Sequence, residues 1–125
     1  MSEKQASKRV TTLTKVDTLS NAALYDFLLV ENETVILEYK AMRDLVILTS
    51  KKIIAVDVQG LMGKKKEFLV VPYSKITAFS VESAGTWDLD AECKLWASGI
   101  GFVEFEFIKG TDIREIAALL ATKVS

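Results

Sequence analysis

Carboxylates alternate along the second half of the sequence. Asp88, Asp90 and Glu92 fill every second position, and Glu104 and Glu106 repeat the spacing downstream. On paired strands such positions share one face. That face could hold a divalent cation with oxygen ligands, or set two carboxyls up as an acid–base pair. Carboxylates facing each other on adjacent strands mostly repel, and nothing else in the sequence marks a pocket around them. A solvated strand face is the simpler reading. A surface that receives basic groups from a second copy or a partner is the third.

The rest of the composition narrows the chemistry. The 125 residues contain no histidine, which removes the commonest general base, the usual triads and most zinc and haem sites. Cys93 is the single cysteine, so an internal disulfide and a cysteine-based metal cluster are excluded, and a reducing cytoplasm is the default compartment. No metal and no cofactor are expected, nor any catalytic residue. Half the chain is apolar and 26% is charged, enough for an ordinary core in one domain. The formal net charge is −1, which argues against a nucleic-acid binder. The polar start of the chain reads as no signal peptide.

Three further groups stand out. Trp96 and Phe102 fall on the outward parity of their strands, where an aromatic pair either packs under the N-terminal helix of its own chain or forms a subunit contact. Lys40, Arg43, Lys64, Lys65 and Lys66 could give a weak, salt-sensitive attachment to anionic lipid. A charged turn that keeps a hairpin soluble is the more economical reading. Arg43-Asp44 with Asp57 reads as a polar network at a strand start, and the planar fork of Arg43 also suits a carboxylate across an interface. Gly60, Gly63 and Gly85 are turn residues, since no helix follows them as a phosphate loop requires.

These residues need elements to position them. Residues 1–16 are polar and locally basic, and read as a solvated arm or as an arm docking on an acidic surface of a neighbouring copy. Residues 17–125 form the single domain. Residues 18–29 carry Leu19, Ala23, Leu24, Phe27 and Leu28 at helical spacing, with Ser20 or Asn21 as cap. Period-two segments then predict strands over 34–40, 43–49, 52–58, 67–71 and 75–82. From Trp87, inward Leu89, Ala91, Cys93 and Leu95 face inward Val103, Phe105 and Phe107 across a three-residue loop at Ser98–Ile100. This register pairs Leu95 with Val103, Cys93 with Phe105, Lys94 with Glu104 and Trp96 with Phe102. Asp112 caps a last helix with a stripe of Ile113, Ile116, Ala117, Leu120 and Val124. The fold class is mainly β: a helix, seven antiparallel strands bent into a barrel or sandwich, and a C-terminal helix that closes one end.

Seven strands followed by a helix is the pleckstrin-homology order. Arg43-Asp44, Thr49-Ser50-Lys51-Lys52-Ile53-Ile54, Asp57, Gln59-Gly60, Gly63-Lys64-Lys65, Pro72-Tyr73-Ser74-Lys75-Ile76 and the run Glu82 to Glu92 together resemble the bacterial PH-like domain family. The similarity runs from about Leu24 to the C-terminus. Ser50 and Lys52 stand where the family pattern has Asn and Arg, and Cys93 where it has Leu. The resemblance implies a non-catalytic PH-like domain that assembles into a cyclic homo-oligomer, five-fold for single-domain members. It also implies a hydrophilic surface, shared between neighbouring copies, that binds another protein. On that basis Trp96, Phe102 and Glu104 are candidates for the oligomer contact. Arg43, Asp44, Lys51, Lys52, Asp88 and Asp90 are candidates for the polar surface. Weak membrane contact through Lys40, Arg43 and Lys64–Lys66 is the alternative.

Overall fold

In a computed structural model of the chain, residues 5–82 and 90–124 are described. They form eight strands and one helix: β1 Lys8–Val16, β2 Val35–Ala41, β3 Asp44–Thr49, β4 Lys52–Gln59, β5 Lys65–Pro72, β6 Ile76–Glu82, β7 Ala91–Ala97, β8 Gly101–Phe107 and α1 Ile113–Lys123. All seven segments expected from Thr34 onward as strands are found, the first five with ends moved by one or two residues; the expected start of the sixth, Trp87 to Leu89, lies outside the described residues. The chain divides into two compact units, Thr14–Pro72 and the remainder.

Within Thr14–Pro72, β2, β3, β4 and β5 form an antiparallel meander. Tyr25, Val35, Leu45, Ile47, Ile54 and Val56 make a buried cluster, with Leu24, Leu28, Phe68 and Val70 packed on its margin. Pro72 ends β5 opposite Lys52, where its missing N–H interrupts no central ladder. In the other unit, β6 pairs with β7 and β7 with β8, both antiparallel. The β7–β8 register is the expected one at all four pairs, Trp96 opposite Phe102 included. Cys93, Leu95, Val103 and Phe107 on the inward parity are buried. Burial pushes the Cys93 thiol up to about 12, as suits an inert core thiol. The side chain of Asp112 accepts the backbone N–H of Arg114 and so caps α1, which buries Ile113, Ile116 and Leu120. The helix packs on β6, β7 and the 3-10 turn Tyr73–Lys75.

Two expectations are corrected. The N-terminal arm is not frayed from Lys8 onward: it is β1. Lys8–Leu13 run parallel to β8, and Thr14–Val16 run antiparallel to β2. The strand breaks register between Val10 and Leu13, and Thr12 sits there at φ 62. A residue in the left-handed region at a bulge swings the strand from one partner to the next. Nor is there an N-terminal helix over 18–29. The segment holds two short 3-10 turns, Ala22–Leu24 and Asp26–Leu28. Leu19 lies at φ 70, which no helix allows, and Leu19 and Phe27 of the expected buried stripe are exposed. Asn21 makes no capping bond. The side chain of Glu38 takes the N–H groups of Leu19 and Asn21 instead.

Candidate functional site

The outer face of β6, β7 and β8 carries the aromatic pair. Alternation turns Trp96 and Phe102 outward, and their rings lie 6.1 Å apart, tilted by 33°. Thr77, Lys94, Ala97, Ser98 and Gly101 complete a concavity of about 530 Å³ around them. Trp96 is 39% exposed, high for an indole on a small domain. The N-terminal segment is tied to the backbone beside it. Ser7 N–H donates to Phe102 O at 2.8 Å, and the Ser7 hydroxyl donates to Ile100 O. Gly101 is required there: it sits at φ 99, and a Cβ would stand 2.7 Å from Ser7 Oγ.

Beside the aromatics lie the carboxylates. Glu92 and Glu106 face each other across β7 and β8, and Glu104 faces Lys94. Oxygens of Glu92, Glu104 and Glu106 come within 4.8 Å of one another, a spacing that oxygen ligation would allow. Arg9 of β1 reaches into the group, with Nε 2.8 Å from Glu104 and Nη2 3.1 Å from Glu106. Lys94 Nζ adds a contact to Glu104 at 3.7 Å. Burial, then the charges of Glu104 and Glu82, hold the Glu92 carboxyl above its usual range. The acidic face thus receives its basic group from the arm of its own chain. Sequence reasoning placed that arm in solvent or on another copy. Asp90 is exposed, and Asp88 lies outside the described residues.

The remaining polar candidates fall into two places. Arg43 and Asp44 sit where β2 turns into β3. Arg43 Nη1 donates to Gly60 O at 2.6 Å, and Asp44 Oδ1 accepts Val58 N–H at 3.1 Å, so both tie this hairpin to the next one. Lys51 and Lys52 sit at the far end of β3, which a six-residue strand places roughly 20 Å away. One subunit therefore does not bring the four together. Lys52 Nζ pairs with Glu33 at 2.7 Å and is largely buried, while Lys51 is exposed. Burial alone would raise the Glu33 carboxyl. The hydrogen bonds from Lys52, Thr49 Oγ1 and Val30 N–H outweigh burial and hold it below its usual range.

A carboxyl with a lowered folded-state pKa stabilises above its unfolded value and loses that contribution as pH falls through the folded one. Glu33→Gln is therefore expected to lower stability by about 1–2 kcal/mol at pH 7, the scale of a charged hydrogen bond. The gap to wild type should close below about pH 4, near and below the usual carboxylate range. Urea midpoints across pH check this, and a gap that widens in acid contradicts it.

Sequence reasoning missed Glu38. Period-two alternation assigns it outward, yet it is fully buried. It accepts Leu19 N–H at 2.9 Å, Asn21 N–H at 3.0 Å, Asn21 Nδ2 at 2.9 Å and the Tyr25 hydroxyl. Burial, followed by this carboxylate, pushes the Tyr25 phenol well above its ordinary value. The only available signal was a lone carboxylate on the strand that follows a tyrosine- and asparagine-bearing segment.

Known proteins are similar to this chain over most of its length. An uncharacterized Bacillus subtilis protein, YjqA, is 45% identical over 114 residues, covering 87% of this chain and 91% of its own. A second from the same organism, YozO, is 36% identical over 101 residues, covering 81% and 87%. The crystal structure of a DUF1696 family protein with a pleckstrin-homology domain, from Shewanella loihica, superposes with a TM-score of 0.79. It shares 38% identity and is matched over 93% of this chain and 100% of that one. The fold is thus PH-like, and among the described residues no helix is long and apolar enough to cross a membrane. The model of the bacterial PH domain matches residues 5–124, and the chain belongs to that family.

Proposed function

We propose that this PH-like domain is a non-catalytic interaction module. It associates with copies of itself through the outer face of β6–β8 and presents a repeated polar surface to a protein partner in the cytoplasm. The aromatic concavity supports the first half. An indole and a phenyl ring side by side on a strand face lose free energy in water and regain it under a neighbour. A heterologous contact closes into a ring when the rotation allows it, here one of five copies, as the family resemblance implies. Repetition then matters for the second half. Arg43, Asp44 and Lys51 of each copy offer weak contacts, and several of them on one ring sum to useful avidity.

Light scattering after size exclusion tests the assembly. A mass several times 13.9 kDa is expected, and a monomer at micromolar concentration overturns the reading. The intact assembly is then the bait for the partner.

A further inference from the structure

A heterologous seam needs two different patches, and the outer face of β6–β8 is only one of them. The β2–β3 and β4–β5 turns hold Met42 91% exposed, Leu61 101% and Met62 77%, where no other exposed apolar residue passes 65%. Leu61 and Met62 are the central residues of a turn closed by Gly63 N–H to Gly60 O at 3.2 Å. The Arg43 guanidinium on Gly60 O ties that turn to the one carrying Met42. Three apolar side chains held in water on one tied tip add nothing to the fold of their own chain.

Charge matches this tip to the aromatic face. Lys40, Arg43, Lys64, Lys65 and Lys66 are exposed at the tip, and residues 40–43 and 59–66 contain no acidic residue. The chain's net −1 therefore divides into +5 there and −6 elsewhere. The strand registers put part of that negative excess beside the aromatics. One row across the outer face is Ala78 with Trp96 and Phe102, the next Ser80 with Lys94 and Glu104, the third Glu82 with Glu92 and Glu106. Arg9 and Lys94 answer Glu104 and Glu106. Among the described residues no cation comes within ion-pair distance of Glu82 or Glu92, and Asp90, exposed, stands just before β7.

Spacing matches as well. On β7 Trp96 and Glu92 are four residues, about 13 Å, apart. On the tip Met62 and Lys66 are four residues apart, and the long lysine stems reach across what the turn shortens. One patch is thus apolar knobs beside cations, the other an aromatic hollow of about 530 Å³ beside carboxylates. A methionine sulfur also packs favourably against aromatic rings.

We infer that the tip of the β4–β5 hairpin of one copy docks on the outer face of β6–β8 of the next, with Leu61 and Met62 in the hollow against Trp96 and Phe102 and Lys64–Lys66 over Glu82, Asp90 and Glu92. The inference rests on the self-association proposed above and supplies its second patch. Each copy then carries one tip and one face, so the contact is directional and never pairs a face with itself.

Leu61→Asp with Met62→Asp should give a folded monomer, since it weakens each seam roughly a hundred-fold or more. Trp96→Asp is monomeric through loss of the other patch. Mixed in equal amounts, the two variants should form a dimer of twice 13.9 kDa, because the intact face of the first meets the intact tip of the second and no further seam can form. The remaining Trp96 should shift its emission to the blue on mixing. Changing Lys64, Lys65 and Lys66 to Glu should also lose the assembly, and Glu82→Lys with Asp90→Lys in the same chain should restore it in part. Light scattering after size exclusion reads the masses, and circular dichroism confirms folding. A tip variant that keeps the wild-type mass while Trp96→Asp loses it overturns the inference and leaves self-association standing, with the tip open to an acidic protein or anionic lipid. Two monomeric variants that stay apart when mixed overturn it also. A wild-type protein that is itself a monomer overturns the self-association, and the inference with it.

Discussion

Glu38→Ala is expected to remove about 3–5 kcal/mol of folding stability, out of a total that for a domain of this size is about 5–15 kcal/mol. The side chain is fully buried, and its two oxygens gather five donors from one stretch of chain: two backbone N–H groups, an amide, a phenol and, at 3.4 Å, the Ser20 hydroxyl. Truncation leaves those donors facing a void. Each buried donor without a partner costs about 1–3 kcal/mol, less what water recovers. Glu38→Gln should fall between, because its NH2 group would point a donor at donors while its oxygen still accepts. Tyr25→Phe removes one donor and leaves the others satisfied, so it should cost about 1 kcal/mol. The double variant should lose less than the sum of the single losses, because both changes disrupt one network. Urea denaturation measures all four. A Glu38→Ala loss under about 1 kcal/mol would contradict the account. The same substitution should open residues 17–30 to proteolysis before the strands melt, since the carboxylate is what fastens that segment over β2.

This network also explains where the sequence was legible and where it was not. Strands β7 and β8 follow from side-chain alternation because each has one face on a core, β3 and β4 from short apolar runs buried on both faces, and the parity of Leu95 and Val103 then fixes the β7–β8 register. The cap at Asp112 is equally local, needing only its own helix. The segment 18–29 failed for a non-local reason. Its apolar spacing does suit a helix, but a carboxylate from a strand nearly twenty residues away claims its N–H groups, and the chain takes the conformation that serves Glu38. Strand β1 was hidden by its bulge. Its buried residues Val10 and Leu13 are three apart, so the left-handed turn at Thr12 breaks the period-two pattern that would have revealed it. Missing β1 in turn hid the ion pairs that Arg9 makes with Glu104 and Glu106. The aromatic pair was placed by parity alone. On the proposed reading what covers it belongs to a second molecule, and no periodicity within one chain encodes that.

Trp96→Asp is expected to convert the assembly into folded monomers. The position faces outward, so an aspartate there meets water and Lys94 and leaves the buried side of β7 intact. In a subunit contact the same carboxylate would be desolvated against Phe102 with no cation fixed opposite it. A large central aromatic contributes about 2–4 kcal/mol to an interface of this kind, a factor of roughly 30 to 1,000 in affinity. A ring meets that loss at every seam, so the shift from closed ring to free subunit is steeper than the loss at one contact. Phe102→Asp should act alike, and Trp96→Phe should retain most of the assembly. Phe27→Ser, at an aromatic even more exposed but lying in the Thr14–Pro72 unit, tests whether its own part of that unit supplies the opposing patch: an unchanged mass places the opposing patch elsewhere. Light scattering after size exclusion reads all four, with circular dichroism to confirm folding. If Trp96→Asp keeps the mass of the wild type, the aromatic face is not the seam, and the concavity around it must serve a partner other than a second copy.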